Sequence, residues 1–303
     1  MVPVEPFPIL DVSDWDLVAD ETTGDEVKYW LQRQGSTVRW LFKEITVKDG
    51  RVQGEDWSEK AVSHLAELLR IPCAQVEVAV LRGRAGCISA DLRPASYQLQ
   101  HGQNLLEECP DVSYVHGTGK NHPDHTLENI RAGLEGALPP PDCSLPFAGA
   151  AYDVFAGYVL MDAWVGNRDR HDNNWAMLRP LLESDEPRRL CGSYDHASSL
   201  GFNLTDQERE QRLGQGTVEA WCKKGTAWRY GYDRRTTLVQ LAALGLQLAS
   251  ADARRYWFEK LRGVSEDDVR DVIARVPRMS DLARIFAETV LSVNRRRLLD
   301  VCA

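Results

Sequence analysis

Residues 166–175 read GNRDRHDNNW and follow directly on an apolar run, FAGYVLMDAWV. The ten positions hold two aspartates, two arginines, one histidine and three asparagines. Polar side chains next to a buried segment are costly unless they are hydrogen-bonded, so a turn exposed to water is one interpretation. A second interpretation is a site of chemistry, and the next part of the chain favours it.

The polar groups of this stretch match the needs of phosphoryl transfer. Asp169 can accept a proton from a hydroxyl nucleophile, and the amide oxygen of Asn174 can bind a divalent cation. Asp195 comes 26 residues after Asp169, behind the run RRLCGSY, and offers a carboxylate from the next strand. A base, a metal-binding amide, a hairpin and a metal-binding carboxylate are the parts that protein kinases use.

The amino-terminal part of the chain alternates like an antiparallel sheet. The runs VKYWLQ and STVRWLFKEITV predict one hairpin, and QVEVAVLRG with AGCISADL predicts a second. Between them we expect a helix from about Trp57 to Arg70, with Ser58 marking its start and Glu59 in its first turn.

Two charged side chains in this part fit the nucleotide end of a kinase site. Lys43 ends the apolar run VRWLFK, and a lysine at a strand end beside a cleft can bind phosphates. Glu59, 16 residues later, can pair with it from the following helix. The turn TTGDEVK contains one glycine, Gly24, and we expect this turn and Lys28 to lie over the phosphates.

The character of the chain changes near residue 94. The run AGAAYDVFAGYVLMDAWVGN predicts a buried helix, and the chain after residue 235 reads as helical. The sequence therefore predicts an α+β, two-lobed protein-kinase-like fold, with a small β-rich lobe at 1–93 and a mostly helical lobe at 94–303. The adenine is expected at the lobe junction near Asp91–Tyr97, with Asp91 and Arg93 as nucleotide contacts.

Composition narrows the class of protein. The 303 residues are 43% hydrophobic and 27% charged, and no apolar stretch has the length of a membrane span. The start carries no secretory signal, and the seven cysteines form no C-x-x-C motif, so we expect a cytoplasmic protein with reduced thiols. A net charge of −9 argues against direct nucleic-acid binding.

Four stretches, WLFK, EDWSEKAVSHLAELL, GNRDRHDNNW and YDHASSLG, occur in an order that resembles the HipA-like serine/threonine kinases. The chain is most similar to the compact members, which lack the extra N-terminal subdomain. The resemblance implies a catalytic base at Asp169, a loop-bracing histidine at His171, and magnesium ligands at Asn174 and Asp195. It also implies that Lys43 binds the phosphates and that Glu59 is its partner.

The same resemblance implies ATP and Mg²⁺ as cofactors and a serine or threonine of a protein as acceptor. Autophosphorylation at Thr22 or Thr23 and a small antitoxin-like partner are further expectations from the family. The chain departs from some members by having Asn173 where they have a lysine, and by a phosphate loop poor in glycine.

Three alternative functions stay open at this point. The D-x-H-x-x-N pattern also occurs in phosphoinositide kinases, so the acceptor could be a lipid or small-molecule alcohol. A nucleotide-binding pseudokinase without turnover is a second alternative. A metal-dependent phosphoesterase ranks far behind, because such sites use two metals and several histidines.

Overall fold

The amino-terminal strands form a six-stranded mixed sheet in the computed structural model, which describes residues 5–21, 28–116 and 122–302. The order across this sheet is β1-β7-β8-β4-β3-β2, and β5 and β6 form a separate two-stranded ribbon. The eight strands in chain order are β1 (Ile9–Asp11), β2 (Asp16–Glu21), β3 (Lys28–Gln32), β4 (Arg39–Glu44), β5 (Val47–Lys48), β6 (Arg51–Val52), β7 (Val76–Leu81) and β8 (Arg84–Ala90).

Both predicted hairpins are confirmed. Strands β3 and β4 pair antiparallel, as do β7 and β8. The second hairpin turns at Arg82 and Gly83, whose φ angles of 51° and 80° are those of a tight turn that matches the twist of the strands. The edge strand β1 pairs parallel with β7, so the sheet is mixed and not purely antiparallel as expected.

Helix α1 (Glu55–Leu69) follows the ribbon and packs against β7 and β8. It begins two residues before the predicted start, with Glu55 and Asp56 in its first turn. The Ser58 hydroxyl does not cap the helix, since it donates to the carbonyl of Ser199 at 3.1 Å. The predicted position of Glu59 in the first turn is therefore wrong, because this residue lies in the second turn.

The remainder of the chain is mostly helical, as predicted. Within residues 94–116 and 122–302 the helices are α2 (Gly102–Glu108), α3 (Leu127–Gly133), α4 (Ala151–Val165), α5 (Asp206–Gly214), α6 (Val218–Lys223), α7 (Leu238–Leu248), α8 (Ala251–Gly263), α9 (Glu266–Arg275) and α10 (Asp281–Cys302).

Helix α4 is the centre of this helical part, and all 15 of its residues are buried. Its packing is close enough to require a glycine, because a Cβ at Gly157 would lie 2.7 Å from the indole of Trp257. The nitrogen of this indole donates to the carbonyl of Asp153 at 2.7 Å. The helix that precedes GNRDRHDNNW is thus buried over its whole length and held by Trp257.

A three-stranded antiparallel sheet lies beside this helix. Its strands are β9 (Tyr97–His101), β10 (Ala176–Pro180) and β11 (Arg189–Leu190), in the order β11-β10-β9. The hairpin predicted between Asn174 and Asp195 is confirmed as β10–β11. Strand β9, which pairs with β10, was not predicted from the sequence. The sheet places Asn174 just before β10 and Asp195 shortly after β11.

Over the residues that the structure describes, no helix has both the length and the apolarity that crossing a membrane requires.

Candidate active site

The loop after α4 is held by a buried arginine. Gly166 ends the helix with φ of 75°, a conformation that favours glycine. Arg170, only 2% exposed, forms an ion pair with Asp162 of α4 and donates to the Asn174 carbonyl at 2.8 Å. It also donates to the Ser193 hydroxyl at 2.9 Å. One guanidinium therefore joins helix α4, the end of the loop before β10 and the segment that carries Asp195.

Arg170 was not singled out in the sequence. Its partner Asp162 lies eight positions earlier, inside the otherwise apolar run FAGYVLMDAWV. An aspartate in such a run is the one signal that could have indicated a buried ion pair, because a buried carboxylate requires a partner.

The side chain of Asn174 is held by the backbone of its own loop. Its side-chain nitrogen donates to the carbonyl of Asp169 at 2.8 Å. This bond leaves the amide oxygen, the atom that can bind a cation, as the outward group. His171 contacts the same loop, since its Nδ1 accepts a hydrogen bond from the backbone nitrogen of Asn173 at 3.2 Å.

The carboxylate of Asp169 forms an ion pair with Arg229, a residue 60 positions away. Arg229 donates to Oδ1 from Nε at 2.7 Å and from Nη2 at 2.6 Å. Its guanidinium also stacks on Trp228 at 3.9 Å from the ring centre. Over the described residues, Oδ2 of Asp169 has no hydrogen-bond partner, so this oxygen is available to an acceptor hydroxyl.

Lys43 and Asp195 form a charged pair at the end of β4 and the segment after β11. The Lys43 Nζ lies 2.8 Å from Oδ1 of Asp195. Burial alone would lower the pKa of Lys43, but the Asp195 and Glu59 carboxylates outweigh it and raise this pKa above its ordinary value. Burial would likewise raise the pKa of Asp195, yet the Lys43 ammonium holds it well below its usual range.

Asp195 has an unusual backbone conformation, with φ of 61°. Aspartate tolerates this left-handed region better than most residues, and such conformations cluster at functional sites. The turn aims the carboxylate at Lys43.

Glu59 has a different direct partner from the one expected. Its two carboxylate oxygens accept from the backbone nitrogen of His196 at 2.9 and 2.8 Å, and its side chain is buried. Burial would raise the pKa of Glu59, but His196 and Lys43 together lower it. The lysine thus pairs directly with Asp195, while Glu59 acts on it at longer range and fixes the residue that follows Asp195.

Lys28 adds a second positive charge. It stands directly opposite Lys43 in the pairing of β3 with β4. Opposed residues of an antiparallel pair point to the same face of the sheet, so both ammonium groups lie on the side of Asp195. The charge of Lys28 also lowers the pKa of Asp195, behind the effects of burial and Lys43.

A cavity of about 390 Å³, here called the junction cavity, lies between the six-stranded and the three-stranded sheets. It brings together Lys28, Lys43, Asp91, Arg93, His171, Asn174 and Asp195 from the predicted set. Its apolar wall is formed by Trp30, Leu41, Leu92, Leu99 and Cys191. An apolar wall beside paired charges is suited to a ligand with a flat ring and an anionic tail.

Asp91 is engaged within the protein. Its carboxylate accepts from Arg93 at 2.7 and 2.8 Å and from Arg39 at 2.8 Å. Burial would raise the pKa of Asp91, and the hydrogen bonds from Arg93 overcome this and lower it. Arg93 and Arg39 also flank the Trp30 ring, at 5.0 and 5.6 Å. Asp91 therefore shapes the wall of the junction cavity through its arginines.

Three predicted residues lie outside the described part of the chain. These are Gly24 of the phosphate loop and the two neighbouring hydroxyl residues, Thr22 and Thr23.

Asp169 lines a different, larger cavity of about 1040 Å³, here called the Asp169 cavity. Its walls come from the loop after α4, from Lys48, from His122 and Pro123, and from residues within 198–203 and 221–234. The candidate base Asp169 thus lines a different cavity from the candidate metal ligands Asn174 and Asp195.

The whole chain matches a kinase of known structure. The crystal structure of the proinflammatory kinase CtkA from Helicobacter pylori matches with a TM-score of 0.69 and 16% sequence identity, over 97% of each chain. The chain has a protein-kinase-like fold. The predicted two-lobed, protein-kinase-like fold is therefore confirmed.

A second solved structure is also similar to this kinase-like chain. It is HipA of Shewanella oneidensis MR-1, solved with HipB and operator DNA, at a TM-score of 0.46 and 13% identity. The match covers 95% of this chain and 66% of that one. No protein-family model and no curated protein matches the sequence.

Proposed function

We propose that the protein is an ATP- and magnesium-dependent kinase that phosphorylates a serine or threonine hydroxyl of a protein. The observation that supports this most is the shared position of Lys43, Asn174 and Asp195 at the junction cavity, with Asp169 opening into the neighbouring cavity. The nucleotide would occupy the junction cavity and the acceptor the Asp169 cavity, and phosphoryl transfer requires the acceptor oxygen to reach the γ-phosphorus in line.

The donors at the junction cavity fit a magnesium ion. They are an amide oxygen from Asn174 and a carboxylate from Asp195, whose Oδ2 has no hydrogen-bond partner within the described residues. Magnesium prefers such hard oxygen ligands and takes few of them from the protein. When bound, the ion would neutralise charge on the phosphates that Lys43 and Lys28 also face.

The remaining residues would position the reacting groups. The acceptor hydroxyl would approach from the Asp169 cavity, and Oδ2 of Asp169 would take its proton. A bond forms between the acceptor oxygen and the γ-phosphorus, and the bond from that phosphorus to the β-γ bridging oxygen breaks. Arg229 holds the other carboxylate oxygen and so fixes the direction in which Oδ2 points.

A direct test is phosphate incorporation from γ-labelled ATP with magnesium, comparing the wild-type protein with Asp195→Asn and Asp169→Asn. Label is expected on the wild-type protein or an added protein acceptor, and on neither with the variants. Asp169→Asn should still bind MgATP, because Asp169 does not line the junction cavity. Equal incorporation by all three proteins would reject the assignment of both residues.

A further inference from the structure

The Asp169 cavity carries a charge pattern opposite to that of the whole chain. Lys48 of β5, Arg168 of the loop after α4 and Arg234 line it, and all three side chains are exposed. The protein as a whole has a net charge of −9. Three separate segments therefore direct positive charge into one cavity of an acidic protein.

These three cations are free to bind a ligand. Within residues 5–21, 28–116 and 122–302, none of their side chains forms a hydrogen bond or an ion pair. Asp169 is the one carboxylate among the lining residues in these ranges, and Arg229 already pairs with it. An isolated exposed lysine or arginine needs no partner, but three around one cavity create a positive potential there.

The walls between the charges are aromatic. Five large rings line the cavity, namely Phe202, Trp221, Trp228, Tyr230 and Tyr232. Aromatic walls with charged groups between them suit an extended polypeptide, whose side chains pack on the rings while its charges meet the cations.

We propose that this cavity binds an acidic polypeptide segment, with aspartate or glutamate residues flanking the serine or threonine to be phosphorylated. The proposal rests on the proposed function and adds the class of acceptor. A short acidic segment contacts only the positive cavity. An anionic membrane or a nucleic acid presents a large negative surface, which the rest of this acidic molecule repels.

The test is direct binding, measured by fluorescence polarisation at low salt. Three labelled peptides of equal length carry one central serine, flanked by aspartate and glutamate, by asparagine and glutamine, or by lysine. The acidic peptide should bind at least about tenfold more tightly than the other two, and its affinity should fall as salt rises. Equal binding of the neutral and acidic peptides would overturn the proposal.

Substitution locates the binding site. Combining Lys48→Gln, Arg168→Gln and Arg234→Gln should weaken binding of the acidic peptide by roughly tenfold or more. Arg254→Gln on α8 is the matched control, because Arg254 is exposed and lies outside the cavity lining, and it should leave binding unchanged. If the triple variant kept full affinity, the acidic peptide would bind elsewhere, and the Asp169 cavity would be rejected as its binding site.

Two further measurements separate the other outcomes. Vesicles containing anionic phospholipid should not bind, and binding of vesicles but not of the acidic peptide would assign the cavity to a lipid headgroup. MgATP binding is measured on the same samples. Acidic-peptide binding without MgATP binding would reject the kinase function and leave the cavity assignment standing, whereas MgATP binding without any peptide binding would reject the cavity alone.

Discussion

Arg229 holds one carboxylate oxygen of Asp169 through two nitrogens, and a residue with fewer donors cannot reproduce this contact. Arg229→Ala should lower the rate of phosphate transfer roughly 10- to 100-fold, since a carboxylate free to rotate is poorly placed for the acceptor. Arg229→Lys should restore only part of the rate. The measurement is kcat with a protein acceptor, together with the Kd for MgATP.

The Kd distinguishes positioning from general damage to the protein. Arg229 does not line the junction cavity, so MgATP should bind both variants as it binds the wild-type protein. An unchanged kcat in Arg229→Ala would show that Asp169 needs no clamp.

His125 contacts the backbone of Arg229 and makes the stability of the fold depend on pH. Its Nε2 accepts from the indole nitrogen of Trp175 at 3.1 Å, so its Nδ1 carries the proton and donates to the carbonyl of Arg229 at 2.8 Å. This arrangement requires the neutral ring. Burial is the main cause that lowers the pKa of His125 to about 4.

The unfolded chain binds a proton at this histidine near its ordinary pKa of about 6.5, whereas the folded protein does so only near 4. The contribution of neutral His125 to the free energy of unfolding is therefore fully present above the unfolded pKa. It is lost as the pH falls toward 4, by about 3 kcal/mol in total. His125→Gln keeps a donor and an acceptor without this titration. Its free energy of unfolding in urea should fall less steeply between pH 6.5 and 4. Parallel curves for the two proteins would contradict the assignment.

At the scale of elements, the loop after α4 depends on the buried pair of Asp162 with Arg170. Asp162→Ala leaves the guanidinium buried without its carboxylate, and we expect a loss of about 3 to 5 kcal/mol in the free energy of unfolding. Urea unfolding measures this loss. The double replacement of Asp162→Leu with Arg170→Met removes both charges and should recover a large part of it. A single variant as stable as the wild-type protein would show that the loop does not need this anchor.

At the scale of the whole molecule, the junction cavity takes its walls from both sheets, so a nucleotide bound there should stabilise the folded protein as one unit. At a concentration of 100 Kd, MgATP should add about 2.7 kcal/mol to the free energy of unfolding and raise Tm. Asn174→Ala should reduce this shift, because it removes a proposed magnesium ligand. Asn203→Ala, at an exposed residue of the Asp169 cavity, should keep it. An equal MgATP-induced rise in Tm for Asn174→Ala and Asn203→Ala would show that Asn174 does not bind the magnesium ion.

Much of the fold was predictable because its signals are local. The alternation in VKYWLQ and STVRWLFKEITV specifies β3 and β4, and the long apolar run specifies α4. Strand β9 was missed because YQLQH lies between polar, turn-rich stretches and forms a strand only through its pairing with β10. The early start of α1 was missed because its capping residue is Gly54, whereas the prediction took the hydroxyl residue Ser58 as the start.

The sequence by itself determined which residues could perform the chemistry, because a D-x-H-x-x-N loop and a following YD are contiguous patterns. The tertiary structure decided how they are paired. Lys43 meets Asp195 across 152 positions, and Arg229 reaches Asp169 across 60. Contacts at such separations depend on how sheets and helices pack, and no local propensity encodes them. The same packing gathers Lys48, Arg168 and Arg234 around one cavity, a concentration of charge that is invisible in a chain of net charge −9.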